Sequence, residues 1–442
     1  MARALGAVVL VVLYLLVGVA PLSFMFLDTS LPRRPFSVEL SAALGFVGLS
    51  MMGLQFALVA RFRAMAAPFG IVGLHRFHKQ VSALALVFIL AHPALLIAHD
   101  SATYLRLLNV AIAPSWARFG IIAGALLLLL AALSVLRKRL RIRYQVWQVS
   151  HGVLALAVVG FALAHINGVG HYTRGPLRQG LFDAMSLSMV GLLLWTRILT
   201  PLFHLRRAWR VVSLWPERAR SYTLVIEPEG HRGFTFRPGQ FAWLSRWPLA
   251  VAQQPFSFSS PSEGRPGRLS ITIKALGEWS DGRGVLALRP GRRVYLDGPH
   301  GEFSMDLYEA PGYVFVAAGE GIVPLYSMVS TMCVREDVRP AVLFYSSRDW
   351  ESVMFREQLE ELQLYMPNLK VVHVLSYTPS EWLGERGRIT AQLLYRHLPR
   401  RQYTSFEYFV CGPDSFLDPT EEALSMIGVS ETRIHTQRLG IV

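Results

Sequence analysis

The sequence predicts a membrane α-helical bundle of six spans, followed by an antiparallel β-barrel and then an α/β domain with a parallel sheet. Three observations predict this. The 442 residues are 52% hydrophobic with a mean hydropathy of +0.36. That is too apolar for a soluble chain of this length, and the excess sits in the first half. After Arg206 the pattern changes to short alternating runs broken by Gly and Pro, the mark of strands and turns. From about residue 311 strands alternate with helical stretches, as parallel sheets require. The domains expected are 1–205 for the helical bundle, 206–308 for the barrel and 309–442 for the α/β part.

Spans are expected at roughly 4–27, 38–60, 77–99, 116–136, 146–168 and 181–203. Each approaches the ~20 residues that cross the hydrocarbon. Arg61, Arg63, Arg76 and Lys79 fall between spans two and three, and Arg137, Lys138, Arg139, Arg141 and Arg143 between spans four and five. Arg206, Arg207 and Arg210 follow span six. With six spans all three groups lie on one side. The positive-inside rule then places the N-terminus and the large C-terminal region in the cytoplasm, with membrane lipid around the bundle. This accounts for most of the net charge of +14. No basic patch interleaved with aromatics accompanies it, so a nucleic-acid partner is not expected. The first span is long for a signal peptide and no clear small-residue cleavage site follows. Cys333 and Cys411 give neither a disulfide framework nor a metal cluster.

Four histidines carry most of the chemistry in the bundle. His78 and His92 are fourteen residues apart in one span, and His151 and His165 fourteen apart in another. Fourteen residues rise about 21 Å along a helix and return almost to the same face. The two spans run in the same direction, so His78 is level with His151 and His92 with His165. Side by side they offer two stacked histidine pairs, enough to ligate two haems one above the other. Polar groups at membrane depth are costly and usually functional. Zinc or di-iron would need ligands clustered at one depth with carboxylates nearby, and the spans supply almost none. His75 lies seventeen residues from His92, about 100° off that face, and is read as a loop residue or a haem-propionate contact. His99 and His171 lie at outer ends without such mates.

Strand-like runs at Tyr222–Ile226, Gln240–Leu244, Leu269–Ile273 and Arg293–Leu296 build the barrel. Within it sit Arg237-Pro238-Gly239-Gln240, Gln254-Pro255-Phe256-Ser257, Lys274 through Gly277-Glu278-Trp279-Ser280, and Gly298-Pro299-His300-Gly301. Each is ordinary turn chemistry alone. In this order they resemble the FAD domain of the ferredoxin–NADP⁺ reductase superfamily. Beyond it, Tyr313–Ala318 runs into Gly319-Glu320-Gly321-Ile322-Val323-Pro324 and then an apolar helix. Such a turn presents backbone N–H groups to a pyrophosphate, as in a Rossmann-like nucleotide-binding domain. Ala341–Tyr345 ends at Ser346-Ser347-Arg348-Asp349, and Tyr408–Val410 ends at Cys411-Gly412-Pro413. Ligands bind at the carboxyl ends of such strands, and Arg348 suits the 2′-phosphate of NADPH.

Taken together the chain resembles the NADPH oxidase and ferric reductase family, of prokaryotic type, over nearly all of its length. The resemblance implies two b-type haems, the inner held by His78 and His151 and the outer by His92 and His165. It implies a relay from NADPH to FAD to the haems and then to an external acceptor. It places Phe256 against the isoalloxazine and Ser257 near its reactive nitrogen. It sets Gly277, Trp279 and Ser280 at the FAD pyrophosphate, Gly319, Gly321 and Pro324 at the nucleotide turn, and Cys411-Gly412-Pro413 beside the nicotinamide. Ser257 and Cys411 are thereby the residues nearest the hydride transfer, with Arg237, Gln254, Pro255 and Lys274 completing the flavin surround. Two features depart from the family. Gln254 stands where oxidases usually have histidine, which points to loosely held FAD. Residues 438–442 read Arg-Leu-Gly-Ile-Val, where many relatives end in an aromatic that covers the flavin. No calcium-binding loop is seen, so constitutive activity is expected, with no obligatory protein partner.

Three functions compete. The first is reduction of oxygen to superoxide outside the cytoplasm. The second is reduction of a ferric or cupric chelate. The third is a haem-bearing subunit that hands electrons to another protein. The outer loops, about 28–37, 100–115 and 169–180, are short and hold no dense metal-binding cluster, although His99, Asp100, His171 and Tyr172 make a sparse one.

Overall fold

A computed structural model describes residues 2–26, 34–59, 63–195, 199–205, 207–247, 253–264, 267–275, 284–400 and 402–439. It divides into two compact units, Met1–Pro201 and Leu202–Val442.

The first unit is helical. It contains α1 (Ala2–Val19), α2 (Ser23–Phe26), α3 (Phe36–Val59), α4 (Arg63–His99), α5 (Ser101–Leu107), α6 (Ser115–Leu136), α7 (Tyr144–Val169) and α8 (Pro176–Leu194). Local chemistry sets the ends. Asp100 caps α5 by accepting the Thr103 N–H at 3.1 Å. Gly170, at φ 64°, closes α7 and returns its N–H to the Ile166 carbonyl. Pro176 opens α8, where its missing donor costs nothing.

Among the described residues four helices are long and apolar enough to cross a membrane: Phe36–Leu58, Gly73–His99, Ser115–Leu136 and Val146–Val169. They correspond to expected spans two to five. In the region of span one the apolar stretch among the described residues is Val8–Leu22, and Pro21 enters a 3₁₀ turn after Val19. Span six is covered in part by α8, which carries Arg178 and Asp183. One expectation needs correcting. α4 runs for 37 residues, so of the two readings of His75, a loop residue or a haem-propionate contact, the loop placement is corrected: it lies on a helix. Basic side chains mark the membrane border without breaking the helix, since Lys and Arg are good helix formers.

Val87, Val153 and Leu187 are exposed on these helices, as lipid-facing side chains should be. Inside, glycines let helices approach. A Cβ at Gly48 of α3 would sit 2.7 Å from Ile89 of α4.

The second unit holds two sheets; α9 (Thr200–Leu205) precedes them in sequence. The first sheet is built from β1 (Ala208–Glu217), β2 (Ser221–Pro228), β3 (Phe241–Ser245), β4 (Gln254–Ser257), β5 (Leu269–Lys274) and β6 (Arg293–His300). All pairings are antiparallel in the order β4-β3-β6-β1-β2-β5. Phe258, just past β4, bridges Ile271 of β5, so the two edges meet at one point. Trp209, Leu224, Ile226, Leu244, Phe258, Ile271 and Val294 fill the core between them.

The second sheet contains β7 (Tyr313–Ala318), β8 (Ala341–Ser347), β9 (Leu369–Leu375), β10 (Glu385–Arg386), β11 (Glu407–Gly412) and β12 (Ile434–Arg438). It is parallel throughout, in the order β10-β9-β8-β7-β11-β12. Helices α10 (Ile322–Val334), α11 (Arg356–Tyr365), α12 (Ala391–His397) and α13 (Asp414–Met426) cover its faces. Strand order reverses between β7 and β11, and the crevice beyond their carboxyl ends is where such sheets bind ligands. The two sheets are tied to each other. Ser327 donates to the Ser260 carbonyl at 2.7 Å, and Arg335 pairs with Asp306 and Glu263 at 2.6 Å each.

Candidate electron-transfer sites

Helices α4 and α7 bring the four histidines together as two pairs. The rings of His78 and His151 have centres 6.4 Å apart, and those of His92 and His165 6.2 Å apart. Two imidazoles ligating one iron from opposite sides have centres about 6.3 Å apart, since each nitrogen lies about 2 Å from the metal and about 1.2 Å from its ring centre. Both gaps fit one ion. Three of the four Nδ1 atoms are already used. His92 Nδ1 donates to the Ser41 carbonyl at 2.9 Å, and His165 Nδ1 to the Trp116 carbonyl at 2.8 Å. Ser134 donates its hydroxyl to the Leu130 carbonyl and so accepts from His151 Nδ1 at 3.2 Å. Donation through Nδ1 leaves Nε2 with its lone pair to ligate. His78 Nδ1 is buried with no partner among the described residues.

Among the described residues no group of three or more His, Cys, Asp or Glu converges. The pairs therefore suit a metal that brings its remaining ligands with it, as a haem does. Glycines make room for the rings of His92 and His165. A Cβ at Gly45 would lie 3.3 Å from His92 Nδ1, and one at Gly120 2.9 Å from His165 Nδ1. Ser41, Trp116, Ser134, Gly45 and Gly120 are absent from the sequence reading. For the serines and glycines the only signal was a small or polar residue inside an apolar run; Trp116 acts through its backbone carbonyl, which side-chain identity does not report. His75 is exposed within α4, and at the end of α4 His99 Nδ1 contacts Ser37 Oγ at 3.0 Å. Tyr172 donates to Glu39 at 2.7 Å, with the His171 ring edge-on beside it.

The flavin motifs gather on the first sheet. Strand β4 runs beside β3, pairing Gln254 with Leu244, Pro255 with Trp243, Phe256 with Ala242 and Ser257 with Phe241. All four β4 residues are half-buried. The proline is tolerated because β4 is an edge. Arg237 is exposed in the preceding turn, where its N–H donates to Gln240 Oε1 at 2.8 Å. Lys274, at the end of β5, pairs with Glu320 at 2.8 Å. Gly277, Trp279 and Ser280 lie outside the described residues.

The nucleotide motifs gather at the crevice. Gly319, at φ 54°, has open space where a Cβ would be, whereas a Cβ at Gly321 would collide with the Cys411 carbonyl. Gly319 thus leaves room at the turn and Gly321 lets it pack on β11. Tyr345 donates to the Gly319 carbonyl at 3.3 Å, holding the turn from β8. Pro324 is buried in the first turn of α10, and Pro413 precedes α13. Gly412 accepts from the Leu439 N–H at 3.0 Å, which ties the tail beside it. Cys411 is completely buried; burial first, and then the Glu320 carboxylate, push its thiol pKa well up. The structure therefore encloses the thiol in packing. Arg348 is exposed at the end of β8, its guanidinium 5.6 Å over the Tyr377 ring.

Comparison with known proteins agrees with this division. Residues 44–162 match the family of ferric reductase like transmembrane components. Residues 315–422 match the oxidoreductase NAD-binding domain family. Among curated relatives, the stachydrine N-demethylase reductase subunit of Rhizobium meliloti is 29% identical, over 51% of this chain and 64% of that one. An NADPH oxidoreductase of Mycobacterium tuberculosis is 26% identical, over 52% of this chain and 60% of its own. The chain thus spans less than two thirds of these relatives' length. Among solved structures, the Amycolatopsis cytochrome P450 reductase GcoB superposes with a TM-score of 0.46 at 20% identity, covering 52% of this chain and 69% of that one. The chain thus carries a region similar to ferric reductase like transmembrane components ahead of a region similar to the oxidoreductase NAD-binding domain, an arrangement consistent with the NADPH oxidase and ferric reductase-type fusions.

Proposed function

We propose that the protein carries electrons across the membrane from cytoplasmic NADPH, through FAD and two stacked bis-histidine b haems, to oxygen outside, giving superoxide. The observation that carries this reading is the pair of 6.2 and 6.4 Å gaps between histidine rings on α4 and α7. FAD, when bound, accepts the hydride pair and releases electrons singly; a six-coordinate haem, when bound, passes one electron without binding oxygen itself. The chain's own residues do the rest. Ser41, Trp116 and Ser134 fix the ring orientation of three ligands. Gly319 and Gly321 shape the pyrophosphate turn, and Arg348 offers a charge to the 2′-phosphate. The six-span topology, the closed flavin barrel, the cytoplasmic reductase half and the absence of an obligatory protein partner belong to the same proposal.

A ferric or cupric chelate acceptor is the second reading, favoured by the ferric reductase likeness of residues 44–162. One experiment separates them. Purified protein with FAD is given NADPH and either oxygen alone or a ferric chelate without oxygen. Cytochrome c reduction that superoxide dismutase abolishes supports the oxidase. Turnover confined to the chelate supports the metal reductase. Pyridine haemochrome analysis should find two haems per polypeptide; none would overturn the relay.

A further inference from the structure

The turn that should receive the nucleotide pyrophosphate contains an acid. Glu320 lies between Gly319 and Gly321, directly before the N-terminus of α10. Backbone N–H groups and the helix dipole make such a turn favourable for anions, and a carboxylate in the turn opposes a second anion arriving there. The carboxylate has a partner from the other sheet: Lys274 of β5 holds it at 2.8 Å. The two side chains are 29% and 37% exposed, so neither is locked in a core. Gly319 beside them has open space where a side chain would be. Lys274 is therefore a cation placed at the anion site and already neutralised by the protein itself.

We propose that Glu320 is an internal competitor for Lys274 and thereby sets the nucleotide affinity of the site. On binding, Lys274 exchanges the carboxylate for the pyrophosphate, and Glu320 swings toward solvent. The inference rests on the nucleotide reading of the β7–α10 turn. The pyrophosphate is common to both nicotinamide dinucleotides, so the effect falls on both equally, unlike that of Arg348.

The test measures binding of NADP⁺ and NAD⁺ to the full-length, FAD-supplemented protein by calorimetry. Glu320→Gln should tighten both nucleotides about two- to fivefold, since an exposed charge contact is worth that much at moderate salt. Lys274→Gln should weaken binding more in the Glu320→Gln background than in the wild type, because only there is Lys274 unpaired beforehand. Glu320→Thr serves as a second, uncharged variant, with an unchanged circular dichroism spectrum reporting an intact fold. Weaker binding by both Glu320 variants would overturn the proposal and make the carboxylate an acceptor for a nucleotide hydroxyl. Unchanged binding would overturn it too, showing that the carboxylate does not face the pyrophosphate. Failure of the wild type and both variants to bind either nucleotide would overturn the nucleotide reading itself.

Discussion

Gln254 sits half-buried on β4, opposite Leu244. A neutral amide there supplies no charge to the flavin, and the neighbouring Phe256 and Ser257 are neutral as well. FAD should leave during purification and activity should rise with added FAD. Gln254→His or Gln254→Arg should lower the FAD concentration at half-maximal rate about tenfold, in line with a charged hydrogen bond of roughly 1.5–3 kcal/mol. Flavin retained through washing, with no response to added FAD, would show that other groups supply the charge. Arg348 makes the second prediction at this scale. Its guanidinium lies over Tyr377, exposed at the end of β8, so an incoming 2′-phosphate meets a positioned cation. Arg348→Ala should cost NADPH turnover about 1–3 kcal/mol more in kcat/KM than NADH turnover; equal losses would give the residue another role. The complete burial of Cys411 was not legible in the sequence, since it depends on how α10 and β11 pack, which one-dimensional spacing does not report.

Elements position the histidines through what lies behind them. α3 and α6 place Gly45 and Gly120 against the rings of His92 and His165. Gly120→Ala would bring a Cβ to 2.9 Å from His165 Nδ1, so the ring must shift and its bond to the Trp116 carbonyl must lengthen. Redox titration should then show a displaced potential for one haem and not the other, because second-shell hydrogen bonds tune the metal. Two unchanged potentials would place the Gly120 contact outside the haem surround. β9 carries a different consequence. His373 packs against Trp350 and Tyr345; burial, with a smaller push from the Arg356 charge, brings its pKa from 6.5 down to about 4. The unfolded chain therefore binds the proton first. The stability that neutral His373 contributes is complete above pH 6.5 and is lost as pH falls through about 4, a loss on the order of 3 kcal/mol. Urea unfolding followed by tryptophan fluorescence at pH 7 and 4.5 should show this loss, and His373→Phe should remove it. Strands such as β7 were legible because a fully buried strand is a continuous apolar run. β1 was missed, since Trp215 is exposed and Pro216 interrupts the alternation. β9 was missed because Lys370 and His373 break its apolar run.

Over the whole molecule, hydropathy reported the membrane half and the change of period reported the sheets, since both record burial directly. Among the described residues, expected spans two to five coincide with apolar helices of spanning length. The partners of β1 were beyond the sequence, because pairing is non-local. β1 is hydrogen-bonded to β2 on one side and to β6 on the other, with Ala208 opposite Tyr295. That pairing has a consequence for biogenesis. A ribosome adding about 5–20 residues per second delivers Tyr295 roughly 4–17 s after Ala208. For that interval the nascent chain, its membrane helices already made, shows an unpaired strand edge to every neighbour. Chains released at residue 290 should therefore be aggregated or degraded in their C-terminal part while the membrane half persists, as an immunoblot with an N-terminal tag would show. The bundle is finished early, and the wait for β6 makes the reductase half the stage of synthesis most exposed to chaperones and proteases.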